Sequence, residues 1–305
     1  MVMKPEVSLS SRLRDVGAAQ GTNASNVQTR YALERFLHRM TLTEWRDRIA
    51  LKGALIFVVH EGDIHRPTGD IDLNVDAGND DVDLMQRIVM SACACAVDDG
   101  VVFKVSSMDM KRERGRSVQP SGRIELDAMV DGCRVRVRVD MGFGPAMSPA
   151  ATWMQYPSIL PDMPSSRVRV FPYSTMLAEK LHAMVRHGAE TTRLRDYYDV
   201  WSIVTRCRID GSVMAKAVSH TFAQAGHVLP SLPLDGLSDD FISMRADAWD
   251  SYRALPGLLF HPPSLADTVA DIAPFMEGAV RLGAGVELGD WEPGKGWSGS
   301  PNPLP

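Results

Sequence analysis

The spacing of apolar residues changes along the chain and divides it into two parts. Between residues 26 and 170, a helical stripe is followed by short runs in which apolar and polar residues alternate, most strictly in residues 134–141. From Ser174 onward the spacing is helical in several consecutive segments. This order predicts a mixed α/β fold followed by a C-terminal helical domain.

The individual elements follow from the same periodicity. Leu33, Phe36, Leu37 and Met40 predict a helix from Asn26, and a short second helix is expected over residues 43–49. Strands are predicted at residues 70–75, 101–108, 123–130, 133–141 and 167–171, and helices at 81–96, 174–187, 196–206, 211–225 and 265–280. Asp131-Gly132 is typical of a two-residue hairpin turn. The basic run at residues 111–116 is predicted to form a solvated hairpin loop that could touch RNA.

Changes in composition suggest the domain boundaries. We expect an α/β domain with N-terminal helices over residues 1–170, although residues 1–24 look loosely structured. A helical domain is expected over residues 171–288. The Gly-, Pro- and Ser-rich residues 289–305 predict a flexible tail.

Composition removes several functional classes. The 305 residues are 45% hydrophobic and 23% charged, which is ordinary for a globular protein. The net charge of −5 argues against a surface that binds polyanions everywhere, although a local basic patch is still compatible with nucleic acid. The sequence has no apolar run long enough for a signal peptide or membrane span, so we expect a cytoplasmic protein without a membrane partner. The four cysteines contain no CxxC pair, so no zinc site is expected.

The first chemical cluster lies around Asp70 and Asp72. These residues are two positions apart on a predicted strand, so both carboxylates should point to the same face. Two such carboxylates repel each other unless a cation lies between them or one is protonated, and oxygen ligands suit Mg²⁺. The alternative is a solvated strand edge that bears two acids. The preceding Gly53 segment and the turn with Arg66 and Thr68 favour a functional site.

A second cluster lies on the strictly alternating strand at residues 134–141. Its valines take one face, while Arg134, Arg136, Arg138 and Asp140 take the other. If this strand neighbours the Asp70 strand, Asp140 could complete a three-carboxylate metal site and the arginines could meet phosphate. The alternative is a half-exposed strand whose arginines are simply solvated.

A third cluster joins Lys180 to the segment Arg195-Asp-Tyr-Tyr-Asp. Lys180 lies at the border of an apolar helical stripe, and Asp196 shares the apolar face of the next helix. A carboxylate there needs a cation or a donor, which Lys180, Arg193 or Arg195 could provide. Alternatively, Asp196 is an N-cap that only satisfies backbone N–H groups, and a purely structural role is also open for Asp199.

Taken in order, these clusters resemble the AbiEii/AbiGii toxin family, which includes the MenT-type nucleotidyltransferase toxins of type IV toxin–antitoxin systems. The matching segments are Leu51-Lys-Gly-Ala-Leu, Arg66-Pro-Thr-Gly-Asp-Ile-Asp-Leu, Val137-Arg-Val-Asp, Glu179-Lys-Leu and Arg195-Asp-Tyr-Tyr-Asp. The resemblance spans roughly residues 50–205 and implies a polymerase-β-like nucleotidyltransferase core with a mixed sheet, followed by a helical domain.

The resemblance also implies roles for these residues. Asp70 and Asp72 would hold Mg²⁺ or Mn²⁺, Lys180 would hold the triphosphate, and Asp196 would match the acidic residue of the last motif, with Asp199 nearby. Thr68 falls where relatives carry Ser or Thr. MenT-type members transfer nucleotides, often pyrimidines, from an NTP to the 3′ end of tRNA, and the antitoxin is usually a separately encoded protein. One departure is Ala54, where many relatives have a second Gly or a Ser whose hydroxyl can bind phosphate.

The resemblance therefore implies a toxin that adds NMP from an NTP, such as CTP or UTP, to the 3′ end of tRNA and so blocks translation. In this hypothesis the catalytic residues are Asp70, Asp72, Lys180 and Asp196; the substrate-binding residues are Gly53, Arg66, Thr68, Arg138, Asp140 and Asp199; and the metal ligands are Asp70, Asp72 and Asp140. The alternatives are NMP transfer to a protein hydroxyl, a GTP-dependent kinase-like activity, and a catalytically silent nucleotide-binding module.

Overall fold

A computed structural model describes residues 7–76, 82–113, 121–144 and 148–299. The chain forms two compact units. Unit 1 comprises residues 1–145 and 152–170, and unit 2 comprises residues 146–151 and 171–305.

Unit 1 begins with two helices, α1 (Leu9–Ala19) and α2 (Ala24–Met40). The Ser8 hydroxyl accepts the N–H of Ser11 and the Asn23 side chain accepts the N–H of Asn26, so each helix has a polar N-cap. The expectation that residues 1–24 are loosely structured is therefore wrong for residues 9–19. Residues 1–6 lie outside the described ranges.

The helix expected over residues 43–49 is also wrong. The Thr41 and Thr43 hydroxyls donate to the backbone carbonyls of His38 and Met40, and the chain after α2 forms turns instead of a second helix. The chain then enters β1 (Ile49–Lys52), in which Ile49 pairs with Val75. Pairing within a sheet has outweighed the local helical pattern at Ile49.

The remaining elements of unit 1 form one mixed sheet with helices. A 3₁₀ turn (Gly53–Leu55) and α3 (Ile56–Glu61) precede β2 (Asp70–Asp76), α4 (Val82–Ala94), β3 (Val101–Glu113), β4 (Ser121–Val130), β5 (Cys133–Gly144), β6 (Thr152–Tyr156) and β7 (Ser166–Val170). The strand order is β3-β4-β5-β2-β1-β7-β6. The β2–β5 and β1–β7 pairs are parallel and the others are antiparallel, which confirms the predicted mixed α/β fold. The loop predicted at residues 111–116 is wrong for residues 111–113, which extend β3 and pair with β4, and residues 114–116 lie outside the described residues.

The predicted turn between β4 and β5 is present and sets their register. Asp131 and Gly132 have φ values of 47° and 83°, as a two-residue hairpin turn with two left-handed positions requires. Val130 therefore pairs with Cys133, and counting back along the strands pairs Arg123 with Asp140.

The two faces of the sheet differ in chemistry. Ile71, Leu73 and Val75 of β2 are fully buried, together with Val137 and Val139 of β5. Helices α2 and α4 contact the β3–β5 half of the sheet, and their apolar residues complete this core. The intervening residues of β2 and β5 point to the opposite side, which we call the charged face.

Buried polar residues of α2 position the connector between β6 and β7. The Glu34 carboxylate accepts from the Ser158 hydroxyl and from the N–H of Ile159, at 2.6 and 2.8 Å. Arg35 donates to the carbonyl of Pro164 at 2.9 Å. These bonds fix a proline-rich segment that has no regular secondary structure of its own along most of its length.

Unit 2 is predominantly helical, which confirms the predicted helical C-terminal part. Its helices are α5 (Tyr173–His187), α6 (Leu194–Val204), α7 (Gly211–Gln224), α8 (Asp239–Arg253) and α9 (Leu265–Gly283), with 3₁₀ turns at Gly188–Glu190 and Asp235–Leu237. Helix α8 was not predicted from the sequence, because it buries few residues, chiefly Phe241 and Trp249, and leaves Met244 exposed. Such a narrow apolar stripe gives a weak periodic signal.

The prediction of a flexible tail is wrong for residues 289–299. They form a short hairpin of β8 (Trp291–Glu292) and β9 (Gly296–Trp297). Both tryptophans are buried against Phe275, and the Trp291 indole donates to the carbonyl of Val204 at 2.8 Å. Residues 300–305 lie outside the described ranges. Within those ranges, no helix has the length and apolarity needed to cross a membrane.

Candidate active site

Asp70 and Asp72 project from β2 onto the charged face. Their neighbours Ile71 and Leu73 are fully buried, whereas both aspartates are half-buried. The strand alternation predicted from the sequence is thus present, and the two carboxylates share one side of the sheet. This shared side is the geometric requirement for a joint metal site.

A row of four charged residues crosses the sheet at the level of Asp72. In the strand register, Lys52 of β1 lies beside Asp72, Asp72 lies beside Asp140 of β5, and Asp140 lies beside Arg123 of β4. Residues directly opposite each other point to the same face, so a cation stands at each end of the row and two carboxylates stand between them. The outer cations lower the repulsion between the central acids.

Arg123 holds the Asp140 carboxylate with two hydrogen bonds. Its Nε and Nη2 donate to Oδ1 and Oδ2 of Asp140, each at 2.6 Å, in the bidentate geometry typical of Arg–carboxylate pairs. The same Nη2 lies 4.0 Å from Oδ2 of Asp70. One guanidinium therefore faces acids from both β5 and β2.

Gly53 lies directly against the Asp72 carboxylate. Its φ is +66°, and a Cβ built at this position would lie 1.9 Å from Oδ2 of Asp72. Glycine is required for both reasons, because a side chain would be strained and would displace the carboxylate. The backbone at the start of the 3₁₀ turn can therefore approach the site closely.

The loop before β2 contributes the other residues expected from the sequence. The Thr68 hydroxyl donates to Oδ1 of Asp70 at 2.5 Å, so it orients that carboxylate. Arg66 lies in the same loop and is buried. Their predicted substrate-binding roles stay predictions.

The arginine stripe of β5 faces acidic residues on β4. Arg134 contacts Asp127, Arg136 contacts both Asp127 and Glu125, and Arg138 contacts Glu125, at distances of 2.9–3.4 Å. The stripe is therefore largely neutralised across the hairpin, which neither the phosphate-binding nor the solvated interpretation anticipated. A role for Arg138 in substrate binding stays a prediction.

The oxygen donors on the charged face fit a magnesium ion that also binds phosphate. Mg²⁺ is commonly held by one or two protein carboxylates together with water and substrate oxygens, and Asp70 and Asp72 supply two carboxylates on one side of a strand. Within the described ranges, no group of three or more His, Cys, Asp or Glu residues has the arrangement of a metal site. Both Asp140 oxygens accept from Arg123, so a metal-binding role for Asp140 stays a prediction.

A separate charged cluster joins α5 and α6 in unit 2. The Lys180 ammonium lies 2.7 Å from Oδ1 of Asp196 and 2.7 Å from Oδ2 of Asp199. Arg193 donates to the second oxygen of Asp196 at 2.6 Å. Asp196 is the third residue of α6 and its carboxylate pairs with these cations, so the side-chain pairing expected from the sequence is present.

Burial and these cations act in opposite directions on the Asp196 carboxyl. Burial alone would raise its pKa, but the positive charges of Lys180 and Arg193 and their hydrogen bonds outweigh burial and hold the pKa far below its usual value. Asp196 is therefore ionised, and it has little tendency to take up a proton during a reaction.

Lys52 and Arg123 are site residues that were not predicted from the sequence. Lys52 stands inside the Leu51-Lys-Gly-Ala-Leu segment, but its pairing with Asp72 depends on the antiparallel register of β1 and β2. Arg123 could have been found, because a two-residue turn at Asp131-Gly132 fixes Asp140 as its partner.

Comparison with solved structures finds two chains from Helicobacter pylori. JHP933 is 11% identical, with a TM-score of 0.49 over 86% of this chain and 93% of its own. The second, described as a candidate nucleotidyltransferase, is 12% identical, with a TM-score of 0.46 over 85% of this chain and 96% of its own. Comparison with curated protein sequences finds no match.

A family model gives the assignment. The model for the nucleotidyl transferase AbiEii toxin of type IV toxin–antitoxin systems matches residues 35–270, which is well over half of the chain. The matched region contains both the charged row of unit 1 and the Lys180 cluster of unit 2. The chain therefore belongs to the AbiEii family of nucleotidyltransferase toxins.

Proposed function

We propose that this toxin transfers NMP from an NTP, with CTP and UTP as the first candidates, to the 3′ end of tRNA and thereby blocks translation. Family membership implies an NTP cosubstrate and an antitoxin partner. The observation that carries the proposal is the placement of Asp70 and Asp72 on one face of β2, with the Gly53 backbone against Asp72.

In the proposed reaction, the 3′ hydroxyl oxygen of the acceptor forms a bond to the α-phosphorus as the bond to the pyrophosphate oxygen breaks. Asp70 and Asp72 would hold Mg²⁺ or Mn²⁺, which when bound neutralises charge on the phosphates. Gly53 leaves room for phosphate to approach the backbone, and Arg123 and Lys52 place positive charge on either side of the acids.

Asp140 is our proposed acceptor for the hydroxyl proton. It lies on the charged face beside Asp72 and is partly open to solvent. Asp196 is less suitable, because it is buried and its pKa is strongly depressed by two cations. The released proton would pass from Asp140 to solvent.

We keep the implied role of Lys180 at the triphosphate as part of the proposal. Its ammonium is paired with both Asp196 and Asp199, and these carboxylates favour the charged form of the lysine. A cation is the state that neutralisation of a leaving pyrophosphate requires.

The test is incubation of purified protein with Mg²⁺, total tRNA and each labelled NTP in turn, followed by mass spectrometry of the tRNA 3′ end. We expect the wild type to add nucleotide from at least one of the NTPs. Asp72→Asn should lower the rate by at least about a thousandfold, since a metal ligand contributes several kcal/mol. Asp76→Asn is the matched control, because it makes the same change at an exposed position of the same strand.

Three outcomes would contradict the proposal. Label that appears in lysate proteins but not in tRNA would indicate a protein acceptor. Label transferred from the γ-phosphate of GTP would indicate a kinase-like reaction. NTP binding without transfer, with toxicity unchanged in Asp72→Asn, would indicate a silent binding module.

A further inference from the structure

A second feature of the charged face lies at the β6–β7 edge of the sheet. The Trp153 ring of β6 has the guanidinium carbons of Arg46 and Arg167 at 5.4 and 5.7 Å from its centroid. Arg169 lies beside Trp153 in the strand register. We call Arg46, Trp153, Arg167 and Arg169 the Trp153 patch.

The strand register places the patch on the same side of the sheet as the aspartates. Leu51 of β1 pairs with Leu73 of β2 and with Val170 of β7, and all three are buried on the core side. Arg169 precedes Val170 and therefore points to the charged face, as does its partner Trp153. Three strand spacings separate β6 from β2, a lateral distance of about 14 Å.

The local charge is positive in a chain whose net charge is −5. Arg46 and Arg167 are exposed, and Arg169 is half-buried. The acidic residues of the adjoining loop are Glu44 and Asp47, both exposed; the Asp47 carboxylate lies 3.5 Å from Arg46, and its carbonyl accepts from Arg169 at 2.6 Å. An exposed pair of this kind contributes little, so Arg46 remains available to an anion.

Guanidinium groups within cation–π distance of an indole ring suit RNA better than an acidic protein surface. Single-stranded RNA presents phosphates that pair with arginine and unstacked bases that stack on aromatic rings or on guanidinium planes. An acidic protein would use the charges but would gain little from the ring. Contact with Trp153 also restricts the side chains of Arg46 and Arg167 before binding, which lowers the entropy lost on association.

We propose that the Trp153 patch binds the single-stranded 3′ region of the acceptor RNA on the same face of the sheet as Asp70 and Asp72. This inference rests on the proposed function for the identity of the RNA, but the affinity of the patch for RNA is measured without NTP. The patch fixes the acceptor through phosphates and one or two stacked bases, and it takes no part in the chemical step.

The test measures binding of a short fluorescein-labelled single-stranded RNA to the full chain by fluorescence anisotropy over a series of salt concentrations. The double variant Arg46→Gln/Arg167→Gln should weaken binding at least about tenfold. Its slope of log K against log salt should fall by about 1.4, because each lost phosphate contact on a single strand removes about 0.7. Trp153→Ala should weaken binding by about tenfold, as expected for one lost stacking contact, and Trp153→Phe should retain most of the affinity.

The matched control is Arg208→Gln/Arg253→Gln, which removes two exposed arginines of unit 2 that each pair with an aspartate. It should leave the affinity and the salt slope unchanged. Circular dichroism and thermal melting identify any variant that fails to fold. In that case the single variants Arg46→Gln and Arg167→Gln decide, since each should lower the salt slope by about 0.7. Unchanged RNA affinity and salt slope in the folded double variant would overturn the proposal.

The same variants separate failure of this inference from failure of the proposed function. If the wild type labels tRNA and the double variant does so at an unchanged KM for tRNA, the patch proposal fails while the transfer proposal stands. If no tRNA is labelled but RNA binding depends on the patch, the transfer proposal fails while the patch proposal stands. If the double variant binds RNA normally but escapes neutralisation by the co-expressed antitoxin, the patch binds protein and the RNA proposal is wrong.

Discussion

The two charged clusters of this protein contain similar residues in different environments. On the sheet of unit 1, the side chains of Arg123, Asp70 and Asp140 are 34%, 23% and 25% exposed. In unit 2, the side chains of Lys180, Asp196 and Asp199 are 10%, 8% and 0% exposed. Acid–base pairing is close in both, so the difference lies in access to solvent.

This difference separates the kinds of work that the clusters can do. Half-exposed charges contribute little to folding because water screens them, but they are open to a metal ion and to phosphates. Buried charges depend on their partners, because removal of one leaves another without compensation in a medium of low polarity. Substitutions in unit 1 should therefore affect activity first, and substitutions in unit 2 should affect stability as well.

The largest stability effect is expected for Lys180→Met. The substitution removes the ammonium that lies 2.7 Å from the fully buried Asp199 carboxylate, and loss of one member of a buried ion pair costs about 3–5 kcal/mol. Asp72→Asn in unit 1 should change the free energy of unfolding by less than about 1 kcal/mol. Urea denaturation of both variants measures the contrast, and equal losses would contradict the distinction between the clusters.

A double variant sharpens this prediction. Lys180→Met/Asp199→Leu removes both members of the Lys180–Asp199 ion pair, while Asp196 retains Arg193. Replacement of a buried pair by apolar side chains of similar volume is often neutral or stabilising, so the double variant should regain much of the lost stability. A double variant as unstable as Lys180→Met would show that the cost comes from packing and not from loss of the ion pair.

A smaller effect is expected for Gly53→Ala in unit 1. A non-glycine residue at φ +66° costs about 1–3 kcal/mol, and the added Cβ would also meet the Asp72 carboxylate. We expect a moderate loss of stability together with a larger loss of nucleotidyl transfer, measured by urea denaturation and the tRNA-labelling assay. Gly62→Ala, at φ +84° with no atom within 4 Å of the added Cβ, is the matched control for backbone strain alone. If both variants lose activity equally, displacement of Asp72 is not the cause.

The sequence predicted the fold best where periodicity and turn chemistry agreed. Strand β2 and the β4–β5 hairpin follow from alternation together with Asp131-Gly132, and the mixed sheet followed by helices is confirmed. Helix α8 and the β8–β9 hairpin were missed, since one buries a narrow stripe and the other is stabilised by two tryptophans packed on the distant Phe275. Such contacts between remote segments leave no local pattern.

For the candidate site, sequence identified carboxylates more readily than their cations. The spacing of Asp70 and Asp72 is a local signal, and the need of Asp196 for a cation follows from its place on an apolar helical face. The pairing of Lys52 with Asp72 and the neutralisation of the arginine stripe by Glu125 and Asp127 depend on strand order and register. Motif matching ranks residues by type, whereas register decides which charges remain open to a ligand.

The smallest of the expected effects is a dependence of stability on pH through Asp196. Its pKa is lower in the folded state than in the unfolded chain, so at acidic pH the unfolded state binds more protons. The stabilisation is fully present above about pH 5 and is lost as the pH falls through the pKa of the unfolded chain toward the pKa of the folded protein. A difference of one between these two pKa values corresponds to about 1.4 kcal/mol of stability. The amide side chain of the Asp196→Asn variant cannot titrate, so the free energy of unfolding of this variant should fall less steeply than that of the wild type between about pH 5 and pH 3, as measured by urea denaturation. The control is Asp76→Asn, an exposed change in unit 1, which should follow the wild-type slope. Parallel slopes for the wild type and Asp196→Asn would mean that the buried cluster is not the acid-sensitive element, and the contrast between the two clusters would then rest on the effects of substitution at neutral pH.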